Sequence, residues 1–282
     1  MKIMILGSKG SLGSELRRVF PEAIAMDRSD LDIGHHSRVE EILAELKPDV
    51  VLNAAAYTDV DAAEHNGAVA YNTNYHGVMR LVNSCDKSGT RLVHFSTDYV
   101  FDGENPNGYL ESDMRNPSNV YGNSKAKGEE IVERSHGEHL IIRTSWLYGN
   151  KKSFPEKIVS KARSTGLLKV IHDQIGSPTY AADLADRIPK MLDAPKGTYH
   201  LTNTGVPCSW FDFAEDIVNL AGIECRVVPR STEEHNKEFP STAKRPKCSI
   251  LLNSKYEITG PPMRDWRSAL LDYMQKENLV KT

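Results

Sequence analysis

The chain has 282 residues, 39% of them hydrophobic, and a formal net charge of −3. That length is enough for one large domain, or for one domain with a smaller second one. No basic stripe indicates nucleic-acid binding, and no apolar run approaches the ~18 residues of a membrane helix.

Cysteine usage and the first apolar run indicate the compartment. The four cysteines are scattered without C-x-x-C spacing, which predicts reduced thiols in the cytoplasm and no zinc site. Residues 2–6 lead directly into a glycine-rich loop, so they are predicted to be a first strand rather than part of a signal peptide.

The glycine-rich loop follows this strand at once. Gly7, Gly10 and Gly13 have G-x-x-G-x-x-G spacing, and a helical pattern runs from Ser14 to Phe20. A strand, glycine loop and helix in this order place backbone N–H groups and a helix N-terminus against a pyrophosphate. Gly10 would let the backbone approach the diphosphate, and Gly13 would allow close helix–strand packing. The segment therefore predicts dinucleotide binding.

A second predicted strand, 23–27, ends at Asp27, at the distance from the glycine loop expected of an acid that hydrogen-bonds the adenosine ribose. Its carboxylate would repel a 2′-phosphate and so favours NADH, whereas Arg28 could pair with that phosphate. The choice between NADPH and NADH stays open. Asp32 and Ile33 follow, where the adenine edge would lie.

Two further predicted strands continue the alternation of strand and helix. After a helix over 37–46, residues 49–56 form a buried strand that ends in small residues, which would let a cofactor approach. A long helix over 68–88 precedes a buried strand over 91–98. That strand ends in Ser96-Thr97-Asp98, where chemistry gathers in an open parallel sheet.

A long loop, 102–117, of undetermined role precedes a predicted helix that carries Tyr121 and Lys125. Four residues apart, both side chains emerge on one helix face. A free phenol has a pKa of about 10, and an ammonium within ~4–6 Å could lower it by roughly 1–3, which suits a general acid. With the Thr97 hydroxyl on a carbonyl, these residues suit protonation of a ketone oxygen while hydride reaches the carbon.

The alternation of strands and helices predicts an α/β chain with a Rossmann-type doubly wound parallel sheet and a smaller α/β C-terminal lobe. Residues 1–149 are assigned to the NAD(P)-binding domain, with 169–195 returning to it, and residues 150–168 and 196–282 to the substrate lobe. Within that lobe, Ser209 and Asp212 have the spacing of a helix capping box.

The motifs together resemble the extended short-chain dehydrogenase/reductase family. More narrowly, six stretches are similar to its dTDP-4-dehydrorhamnose reductase branch, namely 54–64, 95–103, 119–129, 143–149, 173–180 and 208–214. The resemblance implies NADPH- or NADH-dependent reduction of the C4 ketone of dTDP-4-dehydro-L-rhamnose to dTDP-L-rhamnose, for cell-surface polysaccharide synthesis. It implies a dTDP-4-dehydro-6-deoxy-hexose as substrate, and we expect a monomer or homodimer.

The resemblance also implies residue roles. Tyr121 would be the general acid, Lys125 would orient the nicotinamide ribose and lower the tyrosine pKa, and Thr97 would hold the carbonyl. The positions expected to line the cofactor are Gly7, Gly10, Ser11, Leu12, Gly13, Asp27, Arg28, Asp32, Ile33, Ala55, Ala56, Tyr57, Thr58, Tyr121 and Lys125. Those expected at the sugar are Val60, Thr97, Asp98 and Trp146, and the charge of Arg245 makes it a candidate for the nucleotide diphosphate.

The chain departs from the family pattern at two places, and it matches a metal site of some relatives at one position. Ser11 stands where the family usually has Gln, and Ser153-Phe154 follows a shorter loop with two lysines where an Asn-Phe pair is usual. Glu15 matches one glutamate of a divalent-cation site found at a dimer interface in some relatives. No other position matches that site with confidence, so no required metal is predicted.

Two other functions compete with the reductase. A branch of the same family is a catalytically idle regulatory subunit of methionine adenosyltransferase, and it has an apolar residue where Trp146 stands. Nucleotide-sugar epimerases and dehydratases share the fold, but a dehydratase usually has Asp-Glu after its catalytic threonine, and here Tyr99 follows Asp98. Both comparisons favour the reductase.

Overall fold

The computed structural model describes residues 1–34, 38–149, 153–240 and 242–280. Its centre is a six-stranded sheet in which every pairing is parallel, with the order β10-β5-β4-β3-β1-β2. The strands are β1 (Ile3–Leu6), β2 (Ile24–Met26), β3 (Val50–Asn53), β4 (Arg91–Thr97), β5 (His139–Thr144) and β10 (Gly197–His200). This confirms the predicted doubly wound parallel sheet.

The chain winds outward in opposite directions from β1 and β3, so the topological switch point lies between these two strands. In such sheets ligands bind outside the carboxyl ends of the strands at the switch point. The glycine loop after β1 and the alanines after β3 meet there, and a Cβ on Gly7, whose φ is +74°, would lie 2.7 Å from the Ala55 nitrogen. Only glycine fits this position.

Helices cover both faces of the sheet. The helices of this half are α1 (Ser11–Val19), α2 (Arg38–Leu46), α3 (Val60–His65), α4 (Gly67–Tyr71), α5 (Val78–Ser88), α6 (Val120–Glu133) and α8 (Ala181–Met191). Helices α1 and α8 pack together on one face, and α2 and α5 on the other. Strands β1, β3 and β5 are buried along their whole length, which explains why their central residues are apolar without alternation; the polar residues of β3 and β5 stand at the strand ends.

The predicted helix 68–88 is one continuous helical run with an irregular middle. Between α4 and α5, residues Asn72–Gly77 form a π-helical turn, which the sequence pattern did not reveal. Single π turns inside α-helices occur frequently at functional sites because they rotate side chains out of the regular helical register. Here the turn contains the buried Asn74.

The second lobe is built from short strands and an aromatic core. Its strands are β6 (Leu147–Tyr148), β7 (Leu167–Ile171), β8 (Ile175–Gly176), β9 (Thr179–Tyr180), β11 (Cys208–Ser209) and β12 (Arg226–Arg230), and its helices are α7 (Phe154–Thr165), α9 (Trp210–Ala221), α10 (Thr232–Glu238) and α12 (Trp266–Lys276). Helix α11 (Ser254–Thr259) packs instead against β10 of the central sheet, and its Tyr256 belongs to the core on that side. The capping box predicted from Ser209 and Asp212 is present at the start of α9. Among the described residues, no helix has the length and apolar character needed to cross a membrane.

Two strands lie outside the domain to which the sequence prediction assigned them. Strand β7, placed with the first domain through the range 169–195, pairs instead with β12 in a separate two-stranded sheet. Strand β10, placed in the lobe through the range 196–282, pairs with β5 at the edge of the central sheet. Both strands are short, β7 mostly apolar and β10 of mixed composition, and their sheet is decided by long-range pairing that local sequence does not encode.

Candidate active site

The glycine loop packs tightly onto the start of α1. A Cβ on Gly13 would lie 2.1 Å from the Gly7 carbonyl oxygen, so the close helix–strand approach predicted for Gly13 requires glycine. Gly10 is the N-cap of α1 and has no side chain with which to cap it, and the first turn contains no acidic residue. The N–H groups of this turn, with the positive end of the helix dipole, therefore fit the diphosphate of a dinucleotide.

Asp27 lies just past β2 and is already engaged. Its carboxylate forms an ion pair with Lys9 of the glycine loop and accepts hydrogen bonds from the Ser29 nitrogen and hydroxyl, both at 2.6 Å. The Lys9 ammonium and the Ser29 donors hold the pKa of Asp27 well below its usual range. Lys9 thus brings a second cation, besides Arg28, to the place where a ribose or its 2′-phosphate is expected.

The two residues predicted at the adenine edge have different environments. Asp32 pairs with Arg28, with 3.0 Å between the carboxylate and Nε. Ile33 is 2% exposed and packs in the core beside Gly77, where a Cβ would lie 2.9 Å from the isoleucine Cγ1. Ile33 therefore packs in the core behind the predicted adenine site.

Asn74, which sequence reasoning passed over, fixes the backbone of the predicted cofactor loop. Its side-chain oxygen accepts from the Tyr57 nitrogen at 2.9 Å, and its amide donates to the Tyr57 carbonyl at 3.0 Å and to the Ser124 hydroxyl at 3.0 Å. It thereby joins the loop after β3, which carries Ala56 and Thr58, to α6. The feature that points to Asn74 as a functional residue is the π-helical turn, which is seen only in the three-dimensional structure.

Tyr121 and Lys125 lie on the buried face of α6, as their spacing predicted. Tyr121 is 8% exposed and Lys125 2% exposed. Asn119 begins the helix, because its side chain accepts a hydrogen bond from the Gly122 nitrogen at 2.7 Å. The Tyr121 phenol lies beside the hydroxyl of Thr97, the last residue of β4, and interacts with it. The three predicted catalytic residues therefore meet at the carboxyl edge of the sheet.

The expectation that Lys125 lowers the pKa of Tyr121 is wrong for this structure. Burial raises that pKa to about 12, the nearby Asp98 carboxylate adds to the effect, and the hydrogen bond with Thr97 only partly opposes it. The amine of Lys125 turns away toward the sheet and donates to the Phe95 carbonyl oxygen at 2.7 Å. Tyr121 is consequently a fully protonated phenol at neutral pH.

Asp98 follows Thr97 and is almost fully buried. Its carboxylate accepts from the Thr97 hydroxyl at 2.9 Å, which fixes that hydroxyl beside Tyr121. Burial raises the pKa of Asp98 to about 6, and the nearby hydroxyl groups of Ser249 and Thr97 only partly oppose that rise. Ser249 comes from the far end of the chain, and sequence reasoning did not place it here.

Ser249 belongs to a segment, 243–249, that crosses the edge of the site and is called the strap below. The Ala243 nitrogen donates to Asp61 at 2.9 Å, and Arg245, a predicted diphosphate ligand, pairs with the same carboxylate at 2.8 Å. Further along, the Ser249 nitrogen donates to the Ile175 carbonyl at 2.8 Å. Arg245 therefore ties the strap to α3, beside the Tyr99 hydroxyl with which it also interacts.

Trp146 lies between β5 and β6 and turns the chain there with a left-handed φ of +46°. Its indole stacks on Trp210, with centroids 3.5 Å apart and planes 6° from parallel. The backbone of Gly176 also contacts the ring, since a Cβ there would lie 2.5 Å from the indole Cε2. One face of the indole is thus covered, and a sugar would pack against the remaining surface; that role stays a prediction, as does that of Val60 beside Tyr99 and Tyr121.

Glu15, the match to a metal ligand of some relatives, has two cationic partners within the chain. Its carboxylate pairs with Arg18 Nε at 2.6 Å and with Lys276 Nζ at 3.3 Å. No group of three or more histidine, cysteine or acidic side chains in metal-binding arrangement occurs among the described residues. Lys151 and Lys152, the two lysines of the loop that is shorter than in the family pattern, lie outside the residues that the structure describes.

A glycine loop on a helix N-terminus, with a tyrosine, lysine and threonine gathered at the carboxyl edge of a doubly wound sheet, defines an NAD(P)H-dependent oxidoreductase of the extended short-chain dehydrogenase/reductase class. Residues 1–279 match the family described as the RmlD substrate binding domain, and the chain belongs to that family.

The chain is also similar to known proteins along nearly its full length. It is 37% identical to the spore coat polysaccharide biosynthesis protein SpsK of Bacillus subtilis, with 98% of each covered. A dTDP-4-dehydrorhamnose reductase structure from Clostridium acetobutylicum superposes with a TM-score of 0.94 at 40% identity, covering 99% of this chain and 100% of that one. The corresponding Bacillus anthracis enzyme, in complex with NADP, gives 0.91 at 37% identity, covering 98% and 100%.

Proposed function

We propose that the protein reduces the C4 ketone of dTDP-4-dehydro-L-rhamnose, with NADPH or NADH as reductant, to give dTDP-L-rhamnose for cell-surface polysaccharide synthesis. The observation that carries the reaction type is the meeting of the Tyr121 phenol with the Thr97 hydroxyl at the carboxyl edge of the sheet. The names of the reductases from Clostridium acetobutylicum and Bacillus anthracis support the substrate, and the NADP of the latter supports the cofactor.

Each residue has one task in this reaction. The uncapped first turn of α1 holds the diphosphate. Lys125, on the cofactor side of α6, orients the nicotinamide ribose. The Thr97 hydroxyl, which donates to Asp98 in the structure, turns to donate to the ketone oxygen of the sugar and orients it toward Tyr121. Reduced nicotinamide, when bound, supplies the hydride. Tyr121 gives its phenolic proton to the ketone oxygen, which becomes the C4 hydroxyl.

The raised pKa of Tyr121 fits an acid more than a base. A phenol with a pKa of about 12 keeps its proton at every pH at which the enzyme is expected to work. It is a weak donor toward a neutral ketone, but the alkoxide that forms as hydride arrives is far more basic and takes the proton readily. Reduction therefore starts from the protonated phenol that predominates at neutral pH, whereas oxidation would start from the phenolate.

We place the reaction in the cytoplasm, in a monomer or homodimer that requires no metal. The cysteines Cys85, Cys208, Cys225 and Cys248 are all free in the structure, which suits a reducing compartment. The carboxylate of Glu15 pairs with Arg18 and Lys276 of the same chain, and we expect activity without an added divalent cation.

The direct test is a reductase assay. Purified protein is mixed with NADPH or NADH and dTDP-4-dehydro-L-rhamnose, and loss of reduced-nicotinamide absorbance is followed, with the product sugar checked by NMR. We expect turnover with this sugar and much slower turnover with the 4-dehydro-6-deoxyglucose nucleotide, whose ring configuration differs. Absence of turnover with every 4-keto sugar, in protein that binds NADPH, would refute the proposal.

Cofactor preference provides a second prediction. Asp27→Asn removes a carboxylate charge but keeps the acceptor for Ser29, and it frees Lys9 from its ion pair. We expect the ratio of NADPH affinity to NADH affinity to rise about three- to tenfold, because a 2′-phosphate then meets Lys9 and Arg28 without the opposing charge. Titration of both nucleotides by fluorescence measures it. Asp30→Asn, which removes an adjacent charge, is the control, and an unchanged ratio in Asp27→Asn would contradict the assignment of Asp27 to the ribose.

A further inference from the structure

A chain of buried polar side chains runs beneath the active site from β3 through β4 to α6. Asn53 and His94 are each 0% exposed, and Lys125 is 2% exposed. Such groups are costly to bury unless they are hydrogen-bonded, and these three bond to one another. The reaction proposed above uses Lys125 but gives no task to Asn53 or His94.

The orientation of the Asn53 amide determines which group donates in each hydrogen bond of this chain of side chains. Its side-chain oxygen accepts from the Ala55 nitrogen at 3.2 Å, so the other end of the amide, the NH₂ group, faces His94. The distance from that nitrogen to His94 Nδ1 is 3.0 Å. An amide NH₂ only donates, and therefore Nδ1 is the acceptor in this pair.

A neutral imidazole that accepts at Nδ1 carries its proton on Nε2. His94 is neutral, because burial holds its pKa well below the usual value. Its Nε2 lies 3.3 Å from Lys125 Nζ, so an N–H donor points at the lysine nitrogen. An ammonium has three donors and no acceptor, whereas a free amine can accept this bond and still donate to the Phe95 carbonyl.

We propose that His94, oriented by Asn53, is a positioning residue that holds the Lys125 side chain as an uncharged amine at mildly alkaline pH, and that Lys125 then takes up a proton from solvent when a dinucleotide binds. The hydroxyl groups of the nicotinamide ribose, which Lys125 is proposed to orient, accept hydrogen bonds from an ammonium and so favour it, and the net negative charge of the dinucleotide acts in the same direction. After uptake the imidazole remains neutral but in its other tautomer, with the proton on Nδ1 and with Nε2 accepting from the ammonium. The Asn53 amide then turns its oxygen toward the ring.

The groups around Lys125 are consistent with this switch. Burial lowers the pKa of Lys125 to about 8, with the Glu129 carboxylate one turn further along α6 acting in the opposite direction. That carboxylate is committed to Arg143 of β5, at 2.7 Å. His94 faces the amine from β4, Tyr121 lies one turn before it on α6, and the π-helical turn contributes only the uncharged Asn74 to this part of the helix.

Calorimetry of NADPH binding tests the proposal. Titrations at pH 8.5 in two buffers of different ionisation enthalpy give the number of protons exchanged, and we expect uptake of about half a proton or more by the unmodified protein. In Asn53→Asp the carboxylate demands a proton on Nδ1, which leaves Nε2 as an acceptor for an ammonium, so uptake should fall toward zero. His139→Gln, which removes a buried histidine at the start of β5, should leave the uptake unchanged.

A second measurement uses the full chain without NADPH. With ¹³C/¹⁵N-labelled lysine, and Lys125→Arg to assign the signal, the Lys125 resonance should titrate near pH 8 and move upward in pH by at least about 1 when NADPH is added. Titration near its ordinary value of 10.5, or binding without proton uptake, would overturn the proposal. This titration decides the matter if Asn53→Asp does not fold. The proposal rests on the proposed function only in taking Lys125 as a cofactor-side lysine, and neither readout needs turnover, so failure of the reductase assay remains a separate result.

Discussion

Tyr121→Phe is expected to lower kcat by ~10²–10⁴-fold, because it deletes the proton donor and leaves every other contact of the ring. The phenol of Tyr121 lies beside Thr97, whereas Asp98 is held by the Thr97 hydroxyl at 2.9 Å rather than directed at a substrate carbonyl. Stopped-flow loss of reduced nicotinamide measures the chemical step directly. The Kd for NADPH should change little, since the lost group faces the ketone.

The matched control for this variant is Tyr71→Phe. The Tyr71 hydroxyl donates to Asn123 at 2.7 Å, and removing it deletes one phenolic group from the same region of the fold without touching Thr97. Its kcat should stay within about twofold of the unmodified value, as for a surface hydrogen bond. Near-normal turnover in Tyr121→Phe, with thermal unfolding and NADPH affinity intact in both variants, would remove Tyr121 from the role of acid.

Glu129→Gln is expected to lower the free energy of unfolding by about 3–5 kcal/mol. Glu129 is fully buried and pairs with Arg143 at 2.7 Å, and Arg115 adds a second contact at 2.9 Å. The neutral amide would leave the guanidinium of Arg143, 2% exposed, without a compensating charge. Because this pair joins α6 to β5, the loss reaches the helix that carries Tyr121. Urea unfolding at neutral pH gives the free energy.

Glu130→Gln is the control for the buried pair, since Glu130 bonds Lys127 on the exposed side of the same helix at 2.9 Å. Its cost should be under about 1 kcal/mol. Replacing Glu129 and Arg143 together by methionine should cost less than Glu129→Gln alone, because no charge is then left unpaired. A cost for Glu129→Gln no larger than that of Glu130→Gln would contradict this account.

The cost of Glu129→Gln should also depend on pH. Burial alone would raise the pKa of Glu129, but the charge and hydrogen bonds of Arg143 hold it below the ordinary value of 4.5. A carboxyl with a depressed pKa in the folded state stabilises the fold fully above its unfolded-state value and loses that contribution as the pH falls through the folded-state value. The difference between the two proteins should therefore be constant near neutrality and shrink in acid.

Much of the candidate site could be predicted because it depends on neighbours in the sequence. The glycine spacing before α1, the interval from Tyr121 to Lys125 and the capping box at Ser209 are all set within one or two helical turns. Regular backbone geometry converts such intervals directly into shared faces and satisfied helix ends. The doubly wound sheet followed from the same kind of local alternation.

Electrostatic behaviour could not be predicted in this way. The sequence suggested that Lys125 would lower the pKa of Tyr121, whereas burial raises it and the lysine bonds to β4 instead. Arg245 was expected to be available to a phosphate, yet it pairs with Asp61, a residue far away in the chain. Both outcomes depend on how much water remains around a charge and on which partner comes within ~4 Å of it.

Local sequence was enough to predict the class of fold, the glycine loop for a dinucleotide and the placement of Tyr121 and Lys125 on one helical face. Tertiary structure alone decided that β7 leaves the central sheet, that a π-helical turn directs Asn74 to Tyr57, and that His94 lies between Asn53 and Lys125. The physical reason is the range of the forces involved. Backbone periodicity acts between residues a few positions apart, while burial, charge and hydrogen-bond direction are set by groups that only folding brings together.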